Sequence, residues 1–169
     1  MPLTASVVGA GMGGRLSLNA LAASPDYTLV AAADLRPDVR ADVERLFPGL
    51  RTFATHHEMF DACPTDVVCV STYPDTHERV AVDALALPLR GILVEKPLAD
   101  TAAGGRRILD ALKARGLPVA VPHGMVAKRT PLAVIERVRG GEIGALQLVE
   151  IQCRGWDILN AGIHWLHFC

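Results

Sequence analysis

Ser6-Val7-Val8-Gly9-Ala10-Gly11-Met12-Gly13-Gly14 opens the chain and decides its fold. An apolar run enters a glycine turn and a helical pattern leaves it. Gly9, Gly11 and Gly14 fit G-x-G-x-x-G, the strand-to-helix turn that carries a dinucleotide pyrophosphate. The first glycine permits the tight turn. The second lets backbone approach the phosphates without a Cβ in the way. The third allows close helix–strand packing. The helix that follows offers free amides and a positive dipole end to an anion. Met12 and Gly13 complete the contact set.

Reading onward, short apolar runs alternate with helical patterns. Strands are predicted at 6–9, 28–34, 51–54, 66–71, 91–95 and 119–121. Helices are predicted at 12–23, from Pro37 to about 47, near 57–62, to about 87, and at 101–115. Pro37 suits a first helical turn, and Gly116 with Pro118 makes a stop signal. Asp75 and Glu78 have the spacing of a capping box. His56-His57 reads as a solvated loop or helix start. The strands are apolar throughout, as expected of a parallel sheet covered on both faces. Alternating βα units predict an α/β, Rossmann-type doubly wound sheet over residues 1–122.

The character changes after Pro122. A helix is expected at 130–139, closed by Gly140-Gly141. Residues 145–154 alternate like one strand of an open sheet with a wetter face. Residues 157–168 read as a helix. Residues 123–169 are thus expected to begin an α+β open-sheet domain for substrate and oligomer contacts, cut short at the chain end.

Composition narrows the class. Half of the residues are apolar and the formal charge is −1. The first disfavours disorder, and the second gives no pull toward nucleic acid or an anionic membrane. No apolar run reaches the ~18–20 residues of a membrane span. Met1-Pro2-Leu3 lacks a basic leader region. Cys63, Cys69, Cys153 and Cys169 form no CxxC pair, which points to reduced thiols and a cytoplasmic protein.

Asp34 stands 20 residues after Gly14, at the end of the second strand. A carboxylate there accepts the adenosine ribose hydroxyls and repels a 2′-phosphate, which favours NAD over NADP. Arg36 nearby pulls the other way. The loop Ser71-Thr72-Tyr73-Pro74-Asp75-Thr76-His77 follows the fourth strand, on the side where such sheets bind ligands. From it Thr72, Tyr73, Pro74 and His77 are assigned to the cofactor. Glu95-Lys96-Pro97 follows the fifth strand, and Glu95 and Lys96 join the set.

GAGMGG, Asp34, STYPDTH and VEKP stand in the order and spacing of the glucose–fructose oxidoreductase/inositol dehydrogenase/MocA family, which the chain resembles over essentially its whole length. The resemblance implies an NAD(P)-dependent oxidoreductase acting on a sugar, inositol or related polyol. It implies that Lys96 lies near nicotinamide and substrate, with a Lys-Pro peptide that is often cis. It also implies homo-oligomer contacts through the second-domain sheet. The family's D-x-G-x-H-x-x-D pattern matches Asn160-Ala161-Gly162-Ile163-His164-Trp165-Leu166-His167 at Gly162 and His164, while Asn160 and His167 replace the acids.

Hydride transfer needs a base for the hydroxyl proton and a rigid orientation over the nicotinamide. His164 is read as the acid–base group, Lys96 as the polarising group and Asn160 as an orienting one. No metal is expected, since the i,i+3 pair His164 and His167 lacks an evident third ligand. Two other readings stay open: a dinucleotide-binding module without turnover, and an inactive fragment of a longer enzyme.

Overall fold

The computed structural model describes residues 1–124, 126–152, 157 and 161–168. The chain divides into two compact units, Met1–Val121 and Pro122–Cys169.

The first unit is a six-stranded parallel sheet in the order β3-β2-β1-β4-β5-β6. Its strands are β1 (Leu3–Val8), β2 (Tyr27–Ala33), β3 (Arg51–Phe53), β4 (Val67–Val70), β5 (Gly91–Val94) and β6 (Val119–Ala120). Its helices are α1 (Met12–Ala23), α2 (Pro37–Leu46), α3 (His56–Ala62), α4 (Pro74–Asp83) and α5 (Ala102–Ala114). Strand order reverses between β1 and β4, the switch point at which doubly wound sheets open a crevice.

Alternation along each strand feeds two cores. Ala5, Val7, Ala32 and Cys69 pack with Leu18 and Leu21 of α1 and Val39 and Val43 of α2. Val8, Ala33, Val68, Val70, Ile92 and Val94 pack with Met59 of α3, Val80 of α4 and Ile108 and Leu112 of α5. Both faces are therefore covered, and each fully buried Leu or Ile contributes about 1.5–3 kcal/mol.

In the first unit, one expected helix cap does not form. Asp75 and Glu78 make no capping box: Tyr73 is the N-cap of α4, with no side-chain bond, and Pro74 occupies the first turn. Glu78 is instead taken by Arg107 of α5, Nε to Oε1 at 2.5 Å and Nη2 to Oε2 at 2.8 Å. The capping box forms at Thr55 and Glu58, where no proline intervenes. The helix after β4 also ends at Asp83, and residues 84–86 continue as a 3-10 turn.

In the second unit, α6 (Arg129–Arg139) ends at Gly140, and Gly141 takes a positive φ of 79°. Arg137 and Glu142 pair across that turn. Residues 145–152 join no ladder among the described residues, although their alternation predicts a strand. Alternation sets which face would be buried, but only a neighbour's hydrogen bonds make a strand. The last helix, α7 (Ile163–Phe168), starts later than expected. Before it, Gly162 N donates to Asp157 O at 2.8 Å, an i to i−5 turn. Asn160, Cys153 and Cys169 lie outside the described residues. Among the described residues no helix is long and apolar enough to cross a membrane.

Candidate functional site

Sheet register assembles the site in the first unit. Val8 pairs with Ala33 and with Val70, and Val70 pairs with Val94. The next residue of each strand is Gly9, Asp34, Ser71 or Glu95. Four loops thus leave the sheet at one level, and every cofactor residue expected from the sequence lies on or just beyond them.

The glycines in the first loop have different reasons. A Cβ on Gly14 would lie 1.7 Å from the Gly9 carbonyl oxygen, so helix and turn touch through backbone. A Cβ on Gly9, where φ is +85°, would lie 2.6 Å from the Ser71 carbonyl oxygen. Gly11 is unlike both. The nearest atom to its Cβ position is the tip of Arg36, 3.4 Å away, so packing does not demand glycine there. What remains is open space over backbone at the N-terminus of α1. That terminus has Gly11 as N-cap, with no side-chain cap and no acid in its first turn. Unsatisfied amides, a positive dipole end and a missing Cβ suit a pyrophosphate.

Asp34 has a role within the chain itself. Its Oδ2 accepts from Ala10 N at 2.9 Å and its Oδ1 from Arg36 N at 3.0 Å, tying the turn to the end of β2. Each oxygen keeps lone pairs for further donors. Arg36 Nε stands 3.5 Å from Oδ1. Arg40, which the sequence reading did not single out, holds the carbonyls of Asp34 at 2.8 Å and Leu35 at 3.1 Å. Met12, Leu35 and Tyr73 are exposed apolar side chains at this end of the sheet, where flat cofactor rings need such surfaces. Leu35, directly after the strand-ending acid, was not singled out from the sequence.

Ser71 is a further omission. Its Oγ is buried without a hydrogen-bond partner among the described residues, beside the glycine turn. Thr72 Oγ1 lies 2.7 Å from Thr76 Oγ1, so the loop's hydroxyls are partly engaged with each other.

His77 requires a correction. Assigned to the cofactor from the sequence, it is completely buried. Nδ1 lies 3.0 Å from the Pro97 carbonyl and Nε2 3.1 Å from the Thr72 carbonyl. A side chain so enclosed has no surface for a ligand. It joins the loop after β4 to the loop after β5. In that second loop the Lys96–Pro97 peptide is cis, and Lys96 N donates to Glu95 Oε2 at 3.2 Å. Lys96 and Glu95 are half-buried. Cys69 on β4 does not compete as a nucleophile, because burial pushes its thiol up to about 11.

The second unit holds its own cluster. His123 stacks on His167 with centroids 4.2 Å apart and meets His164 edge-on at 5.7 Å. No spacing rule pointed to His123, which is remote in sequence from α7.

Known proteins match this arrangement. A model of an oxidoreductase family with an NAD-binding Rossmann fold (GFO_IDH_MocA) matches residues 3–123. Inositol 2-dehydrogenase of Klebsiella pneumoniae is 33% identical over 150 residues, covering 86% of this chain and 44% of that protein. The rhizopine catabolism protein MocA of Rhizobium meliloti is 28% identical over 151 residues, covering 89% and 46%. The crystal structure of Lactobacillus casei myo-inositol dehydrogenase with NAD(H) and myo-inositol superposes with a TM-score of 0.74 at 25% identity, over 86% of this chain and 43% of that one. The chain spans less than half the length of these relatives.

Proposed function

Because the chain belongs to the glucose–fructose oxidoreductase, inositol dehydrogenase and MocA family, whose NAD-binding Rossmann fold it carries, we propose that it works as an NAD-dependent oxidoreductase on an inositol, sugar or related polyol. The observation that carries the reading is the row of strand ends that sets Gly9, Asp34, Ser71 and Glu95 at one level, with Lys96 next in line. The names of the relatives support the substrate class.

In this reading the α1 amides and the open flank of Gly11 hold the pyrophosphate, and Asp34 accepts from the ribose hydroxyls. The Asp34 charge favours NAD over NADP, with Arg36 narrowing the margin. NAD, when bound, supplies the hydride acceptor. Lys96, a compact charge with three donors, orients and polarises the substrate oxygen. His164 receives the hydroxyl proton, a role taken from its match to the family's helix pattern. Asn160 cannot take a proton and only orients.

The test is NADH formation from NAD and a panel led by myo-inositol. Turnover is expected with at least one polyol. Lys96→Met is expected to lower it by about 100-fold or more while NAD still binds. NAD binding with no turnover on any polyol would overturn the assignment. Asn160 and His167, standing where the family pattern has acids, favour one second reading, a dinucleotide-binding module without turnover. Activity gained by Asn160→Asp in an inert parent would support that reading instead.

A further inference from the structure

Away from the crevice, the first two residues of α3 meet the last residue of α4. His56 Nε2 lies 2.9 Å from Asp83 Oδ2, and His57 Nε2 lies 3.7 Å from the same oxygen. The two imidazole centroids are 4.0 Å apart, with ring planes tilted by 37°. One nitrogen from each ring and one carboxylate oxygen all fall within 4.8 Å of one another.

A hydrogen bond accounts for His56 but not for His57, whose 3.7 Å is too long for one. Metal coordination accounts for both. A tetrahedral zinc ion with bonds of about 2.0–2.2 Å sets its ligand atoms about 3.4 Å apart. The two separations from Asp83 Oδ2 lie on either side of that value, and all three ligand atoms stay within 4.8 Å of one another, so small side-chain adjustments bring them to the spacing one ion needs. We propose that His56, His57 and Asp83 form a binding site for a borderline divalent cation, Zn2+ foremost, that ties α3 to α4.

Local structure prepares the donors. Thr55 and Glu58 close a capping box around the first turn of α3, fixing the backbone that carries both histidines. His56 is almost enclosed and meets the Phe60 ring edge-on at 5.5 Å, which limits its rotamers. Asp83 ends α4, where the carbonyl end of the helix favours a cation. His57 is largely exposed, so the fourth position faces water. Two neutral imidazoles and one carboxylate suit Zn2+, Cu2+ or Ni2+ better than Mg2+ or Ca2+, which prefer all-oxygen shells. From the sequence the adjacent His-His pair reads as a solvated loop or helix start. Only the fold brings Asp83 to it.

The experiment is a titration of the metal-free protein with Zn2+ against a chromophoric chelator, repeated with Co2+ and read in the visible. One equivalent of Zn2+ should bind and raise the melting temperature of the parent. His57→Ala and Asp83→Asn should each weaken binding by at least about tenfold, since even outer-shell changes cost that much. His57 is exposed, so His57→Ala tests the site even if Asp83→Asn fails to fold. Absence of stoichiometric binding, or variants that bind like the parent, would overturn the proposal. So would a Co2+ spectrum with thiolate charge-transfer bands, which would place the metal on a cysteine such as Cys63.

Discussion

On one side of the crevice, the glycine turn takes its shape from atoms that are missing: Gly9 and Gly14 leave out Cβ atoms that would strike backbone. On the other side, the loops after β4 and β5 take theirs from one side chain that is present, His77, whose two ring nitrogens each face a carbonyl, one from each loop. The glycines of the first wall lie within six residues, although the backbone that crowds Gly9 is that of Ser71 in the loop after β4. The second depends on a contact 20 residues apart in sequence. Such walls fail differently: one by adding an atom, the other by removing a ring.

The largest effect is expected at Gly14. Gly14→Ala puts a carbon 1.7 Å from a carbonyl oxygen, and neither helix nor turn can move alone. A loss above about 4 kcal/mol is expected, seen as insoluble protein or a collapsed urea midpoint. A near-normal midpoint would show that the turn is looser than its geometry. His77→Ala should come second, at about 2–4 kcal/mol, from a cavity plus a buried carbonyl left without its donor. Urea unfolding measures it. A cost under about 1 kcal/mol would mean that the two loops hold themselves.

Acid sensitivity is the smallest effect and probes the opposite end of the sheet. The hydroxyl and amide of Thr4 hold Asp66 below the usual carboxylate range, and Arg107 does the same for Glu78. A carboxylate depressed on folding contributes stability that is complete above its unfolded pKa, and that stability disappears as pH falls through the folded one. Asp66 should thus lose its share below about pH 4, near its unfolded pKa. Stability against pH for Asp66→Asn should fall less steeply there than for the parent, and parallel curves would remove Thr4 as the cause.

The same contrast explains what the sequence made legible. Strand positions and the doubly wound order follow from apolar runs broken by helical periods, because parallel strands buried on both faces carry no alternation to misread. Gly9, Gly11 and Gly14 could be assigned one by one from their contiguous pattern, although the atoms nearest to Gly9 and Gly11 come from Ser71 and Arg36. Asp34 was placed correctly at a strand end, but its bond to Ala10 N spans 24 residues and had no local signature. His77 was misread for the same reason: position put it beside the ligand loop, and only the fold turned it inward. From the sequence only Asp75 and Glu78 read as a capping box, and the proline of α4 together with Arg107 prevents it, while Thr55 and Glu58, at the same spacing, form one. Residues 145–152 have a strand's pattern without a strand's partner among the described residues.

Gly11 separates ligand binding from folding most cleanly, because the protein itself makes no demand for glycine there. Titration of NAD into the parent and into Gly11→Ala, with melting temperatures alongside, tests whether the turn holds a dinucleotide. The parent should bind NAD saturably. Gly11→Ala should melt close to the parent and bind at least about tenfold more weakly, a loss of about 1.4 kcal/mol. Equal affinity in both proteins, or no saturable binding in the parent, would contradict the assignment of this crevice to NAD.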